Sequence, residues 1–267
     1  MLGCGSAFNH KLGNTAGLLR VELQDGTEKH ILLDCGYDVP NKINIATLDA
    51  VLLTHTHADH AGGLEELAFR LKYQYPGKRV KLISRASVID YAESMLYPVL
   101  RATMYSDNAV DEDHLKNPLS HYFDVERILP GCDAVHVTDV CKGLKIAMPK
   151  APHVHTLPCA SISMELSIGS RKPMKVWWSG DTCKVHSALR DNDYKLVFHE
   201  VQFGRNTTGK DAHTLHEDLV ELRRAAMNNI SRMVLMHLPE SMPLATDAEL
   251  LISGMEWAEP GKVYTII

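Results

Sequence analysis

Short apolar runs bounded by turn-forming residues alternate with longer amphipathic segments along this chain. AGLLRVEL (16–23), HILLDCG (30–36) and DAVLLTH (49–55) are rich in Leu, Val and Ile and are separated by QDGTE and YDVPNKIN. That is the pattern of buried strands. Beyond His60, Leu64, Leu67, Ala68 and Leu71 fall on one face of a predicted helix, and Gly62–Gly63 lets it start close to the preceding loop. Residues 84–130 change character: one or two helices, then a polar, weakly patterned stretch, together expected to form a helical insertion. Strands are predicted again at 133–140, 143–156, 161–168, 174–181 and 195–201. A helix at 215–229, a strand at 232–237, a helix near 246–258 and a closing strand at 262–267 complete the pattern. Two batches of strands, each with helices, imply an α/β fold of αββα type. Two mixed sheets would pack face to face with helices outside, in one domain over 1–267.

Composition narrows this picture. A 45% hydrophobic, 23% charged chain can bury a sizeable core. No apolar run approaches the ~18 residues that span a bilayer, and MLGCGSAFNH lacks the basic and apolar regions of a signal peptide. Six scattered cysteines without a Cys-x-x-Cys pair read as reduced thiols. A cytoplasmic protein is expected. The formal net charge of −5 argues against a large nucleic-acid footprint. Fifteen histidines are the unusual count, and histidine is the commonest metal ligand.

The histidines cluster where chemistry would need them. In THTHADHAGG, His55 and His57 alternate to one side of an extended segment, and Asp59 and His60 sit in the following turn. Such a set can feed two metal ions a few Å apart.

This His-x-His-x-Asp-His loop after a strand resembles the hallmark of the metallo-β-lactamase superfamily. LGCGSAF with Asn14 resembles the glycine-rich first turn of its ribonuclease Z-like branch. The resemblance implies that Asp34 supports the metal loop, that Asp181 in SGDT bridges both metals, and that His237 completes the second one. It also calls for a strand-ending histidine. His155, six residues before Ser161, is expected there, with His153, which alternates to the same face, as the alternative. Glu200 in FHEVQF and His213 before a helix are similar to the acid–histidine pair of the phosphodiesterase branch, so Glu200 would orient His213. Asp59, Glu200 and His213 are thus the expected catalytic groups.

The implied chemistry is phosphodiester hydrolysis by a hydroxide bridging two metals, with His213 as general acid. Two Zn²⁺ suit the donors, and Mn²⁺ is the alternative. No long basic arm for gripping transfer RNA is evident, so a small cyclic nucleotide is the expected substrate. The layout also resembles compact anti-Pycsar phage and bacterial proteins that cleave cyclic nucleotides, which implies a part in evading anti-phage defence. The alternatives are a tRNA 3′-processing endonuclease and a lactone or thioester metallohydrolase. A homodimer, the commonest oligomer, is expected.

Overall fold

Alternate residues of the early strands serve two different cores. The structure is a computed structural model that describes residues 1–104, 112–132, 134–137, 139–167, 172–203, 211–226, 228–240 and 254–266. Five strands form the first sheet in sequence order: β1 (Gly17–Glu22), β2 (Glu28–Leu33), β3 (Leu48–Leu52), β4 (Lys81–Arg85) and β5 (Asp124–Ile128). β1 is antiparallel to β2, and the remaining pairs are parallel. Period-two alternation sends Ala50 and Leu52 of β3 into the core shared with the second sheet. Val51 and Leu53 turn the other way, toward helices α2 (Leu64–Tyr73) and α3 (Ala86–Met104). Of α2, the four residues predicted to share a face, Leu64, Leu67, Ala68 and Leu71, are the buried ones.

The second sheet has the order β12-β11-β10-β9-β8-β7-β6. Its strands are β6 (Val135–His136), β7 (Leu144–Ala147), β8 (Ile162–Leu166), β9 (Met174–Trp178), β10 (Leu196–Glu200), β11 (Met233–Met236) and β12 (Met255–Trp257). β9 to β12 run parallel, and β6 to β9 pair antiparallel. Every residue of β10 and β11 is buried, as expected of parallel strands covered on both faces. Among the described residues no helix is long and apolar enough to cross a membrane.

Two expectations are corrected, and a third falls mostly outside the described residues. Segment 84–130 is built into the first sheet: its ends lie in β4 and β5, which pair in parallel. Parallel neighbours need a crossover, and here α3, α4 (Glu112–Lys116) and α5 (Pro118–Tyr122) provide it. β5, DVERI, escaped the sequence reading because it is a half-exposed edge strand, where charged residues are common. The last strand is β12, not 262–267, and residues 262–266 carry no strand. Tyr264 there packs its ring on Phe198 and does not join a ladder. The helix expected near 246–258 lies mostly outside the described residues, and its described end is β12.

Candidate metal centre

Strand ends bring the chemistry together. β3 leads into Thr54–His57 and the single-turn helix α1 (Ala58–Ala61), which carries Asp59 and His60. β9 leads into Asp181, β10 ends on Glu200, and β11 ends just before His237. Among the described residues, two that are not glycine hold left-handed backbone, Asp34 at φ 59° after β2 and His237 at φ 59° after β11. Such backbone persists only where surrounding contacts hold it. Gly36 is required by close approach, since a Cβ there would collide with the Asp59 carbonyl oxygen and the Asn14 side chain.

The buried Asp34 carboxylate is the keystone of the loop. Its Oδ1 accepts from the backbone N–H and hydroxyl of Thr54, both at 2.8 Å. Its Oδ2 accepts from His60 Nδ1 at 3.0 Å and from the Trp178 indole at 3.1 Å. The Thr54 hydroxyl, donating to Asp34, can in turn accept from His55 Nδ1 at 3.1 Å. His153 Nδ1 donates to the Ala212 carbonyl at 2.7 Å. His55, His60 and His153 therefore all keep Nε2 as the free lone pair, the tautomer a metal needs.

Those lone pairs converge in two groups that share Asp181. His55, His57, His153 and Asp181 form the first, and Asp59, His60, Asp181 and His237 the second, with ligand atoms in each group within 4.8 Å of one another. His57 turns Nδ1 toward His55 Nε2 at 3.1 Å and His153 Nε2 at 3.4 Å. In the second group, His60 Nε2 stands 3.1 Å from Asp181 Oδ1, and both atoms are buried without a hydrogen-bond partner. Two lone pairs facing each other in a buried place are reconciled by a shared cation, a proton or a metal ion. The electrostatics agree. Burial opposes charge on His60, yet Asp181 and Asp34 on either side draw its pKa well above the usual histidine value. Burial would likewise raise Asp181, but His237 and His60 hold it well below the carboxylate range. His55, His57 and His153 are all shifted down, chiefly by burial, so they are neutral donors at neutral pH. Imidazole and carboxylate donors in this arrangement fit divalent metal ions.

The structure brings together His55, His57, Asp59, His60, Asp181 and His237, but not His155. That histidine is exposed and outside both groups, and His153 stands in the first. Residues 152–153 are tied to neighbouring parts of the site, Pro152 by its carbonyl to Cys183 N and His153 to Ala212. By residue 155 the chain has entered a turn, closed by Leu157 N donating to the Val154 carbonyl.

A third group lies beside Asp181. Glu200 Oε2 accepts from His213 Nδ1 at 2.7 Å. Glu200 Oε1 accepts from the backbone of Thr182 at 3.0 Å and Thr214 at 2.9 Å. Burial pulls the His213 pKa down, but the hydrogen bond and charge of Glu200 outweigh it and lift it to about 9.

Sequence reasoning missed Trp178, which in an apolar strand reads only as core. Trp178→Phe removes one of the donors on a buried carboxylate, which costs about 1–3 kcal/mol. Denaturant unfolding of the variant should show that loss. Metal titration should show affinity lower by about 10–100-fold, the usual effect of removing a partner behind a ligand.

The same architecture recurs in a solved structure, the metallo-β-lactamase fold protein YhfI from Bacillus subtilis. It superposes with a TM-score of 0.69 at 18% identity, covering 98% of this chain and 96% of that one. The anti-Pycsar protein Apyc1 of Bacillus phage 010DV004 is 31% identical over 277 residues, 100% of this chain and 97% of that protein. Its namesake from Paenibacillus sp. (strain J14) is 29% identical over 276 residues, with 100% and 98% covered. The family model described as anti-Pycsar protein Apyc1 matches residues 1–264. With the shared fold and near end-to-end likeness to these relatives, the chain belongs to the anti-Pycsar Apyc1 family.

Proposed function

We propose that this protein is a dinuclear metal-dependent phosphodiesterase that hydrolyses a small cyclic nucleotide. The observation that carries the reading is the Glu200–His213 pair, held by a 2.7 Å hydrogen bond within 4.0 Å of the shared Asp181. Cleaving a phosphodiester releases an alkoxide, a poor leaving group unless a proton meets it. A lactone or thioester hydrolase has less use for a positioned acid of this kind.

His55, His57, His153 and Asp181 would hold one ion, and Asp59, His60, Asp181 and His237 the other. Five imidazoles favour zinc, and the Asp59 and Asp181 oxygens leave manganese as the alternative. When bound, the pair supplies Lewis acidity to a phosphoryl group and makes water more acidic. His213 keeps its Nδ1 proton on Glu200, so the Nε2 proton is the one delivered to the departing oxygen. Glu200, fixed by the Thr182 and Thr214 amides, keeps that ring in place.

A net charge of −5 favours a small substrate over transfer RNA. The free cysteines suit a reducing cytoplasm, and a homodimer is the expected assembly, to be read from light scattering.

Purified protein should cleave cyclic mononucleotides and a generic aryl phosphodiester, while precursor tRNA and a lactone remain intact. Turnover of the lactone alone would sink the proposal. Elemental analysis of His153→Ala should show about one metal equivalent lost per chain, whereas His155→Ala should keep the full complement. The reverse pattern would assign the ligand to His155.

A further inference from the structure

The first loop of the chain carries an exposed aromatic ring, and its backbone is tied to residues that adjoin the second metal group. Its two ends lie against both halves of the second metal group. On one side Leu238, next to His237, donates to the Cys4 carbonyl at 2.8 Å, and Ser6 N donates to the Leu238 carbonyl at 3.0 Å. On the other, Gly5 N donates to the Gly13 carbonyl at 2.8 Å. Asn14 there lies against Gly36, whose backbone meets the carbonyl of Asp59. Asn9 braces the loop from within: its side-chain amide donates to the Leu238 and Pro239 carbonyls at 3.2 and 3.0 Å. Its Oδ1 accepts from Leu12 N at 3.3 Å.

On this braced loop Phe8 is 82% exposed. A single exposed apolar residue is unremarkable on a mobile surface. Here the backbone on either side is hydrogen-bonded, and the loop that carries Phe8 is tied to Leu238, next to His237, and lies against Gly36, which meets Asp59. Tyr37, one residue beyond Gly36, is 43% exposed, and its hydroxyl pairs with His10 Nδ1 at 2.5 Å. The first loop therefore carries an exposed apolar ring at Phe8 and, two residues on, His10 paired with Tyr37.

We propose that Phe8 is the stacking face for the nucleobase of the substrate and that the Tyr37–His10 pair reads the edge of that base. The inference rests on the cyclic-nucleotide reading above. In a cyclic nucleotide the base is one sugar away from phosphorus, so a phosphoryl group at Asp181 places the base at the rim. Stacking on a phenyl ring holds any base, because every base has a π-face. A hydroxyl–imidazole pair can donate and accept, which lets it discriminate between base edges.

Phe8→Ala should raise KM for cyclic mononucleotides by about 5- to 150-fold, the range of one base–aromatic stack, with kcat unchanged. KM for a base-free ribose cyclic phosphate should not move. Phe8→Trp should restore KM. In the metal-loaded protein its added emission should be quenched by a nucleoside monophosphate, which is not consumed. Tyr37→Phe should shift the ratio of kcat/KM between purine and pyrimidine cyclic nucleotides. Unchanged nucleotide KM in Phe8→Ala, or an equal rise for the base-free substrate, would overturn the platform. So would a change of mass in light scattering with nucleotide affinity intact, which would make Phe8 an assembly contact. Saturable quenching of Phe8→Trp in a protein that cleaves no phosphodiester would keep the platform and discard the phosphodiesterase reading.

Discussion

Asp181→Ala is expected to empty both metal positions together and abolish turnover. Asp181 is the one residue present in all three groups of candidate ligands among the described residues. Its Oδ2 lies 3.7 Å from His55 Nε2, 3.7 Å from His153 Nε2 and 3.4 Å from His237 Nε2, while Oδ1 faces His60. In the two proposed metal groups, removing any single histidine leaves three donors in its own group and the other group whole. Under the two-metal proposal, removing Asp181 would take a negative charge from between two cations, which would then repel each other in a buried place where Coulomb forces are strong. Elemental analysis should find less than one metal equivalent per chain. The kcat/KM should fall by at least about 10²–10³-fold, the loss typical of deleting one electrostatic contact at a reacting centre. Asp181→Asn, which keeps the shape and loses the charge, should behave the same way. Two metals retained in either variant would refute the bridging role.

His213→Ala is expected to lower kcat by about 10²–10⁴-fold, the usual worth of a general acid, while leaving the metal content intact. The loss should be largest for an alkoxide leaving group and small for a nitrophenolate, which departs without a proton. The pH profile supplies a second test. His213 must be protonated to act, and Glu200 lifts its pKa to about 9. Its contribution is then complete at neutral pH and falls as pH rises through about 9. Glu200→Gln keeps acceptors for Thr182 and Thr214 but removes the charge, so the descending limb should move to lower pH. The same shift has a stability consequence. A histidine whose pKa is raised on folding stabilises the native state fully below the unfolded value of 6.5, and that share is lost as pH climbs through about 9. An unmoved limb in Glu200→Gln would show that another group controls it.

The way these residues are distributed explains which of them could be read from the chain. His55, His57, Asp59 and His60 fall within six positions at the end of an apolar strand, so local geometry alone sends them to one place. Asp181 follows the largely apolar β9 and His237 the wholly apolar β11, and the ends of parallel strands in one sheet share an edge. The two sheets were visible in the period-two and continuous apolar runs, because burial on one face or both writes itself into composition. β5 left no such mark, since an edge strand half in water needs no apolar pattern.

Other features depend on contacts between distant residues. His153 and His155 have the same local alternation, and ties to Ala212 and Cys183 put only the first in the site. Trp177 and Trp178 are neighbours on one strand and must face opposite ways, but nothing in their spacing says which meets Asp34. That hydrogen bond joins residues 144 positions apart. The glycine-rich LGCGSAF turn is visible in the sequence, but the loop comes to lie beside the second metal group only because Leu238 and Gly36 are folded against it. Residue order was enough for the metal loop and the layered fold, because adjacent ligands and strand periodicity are local properties. Which of His153 and His155 faces the cluster, the Trp178 brace on Asp34 and the seat of the first loop depend on tertiary packing, because each is decided by what a distant segment can reach.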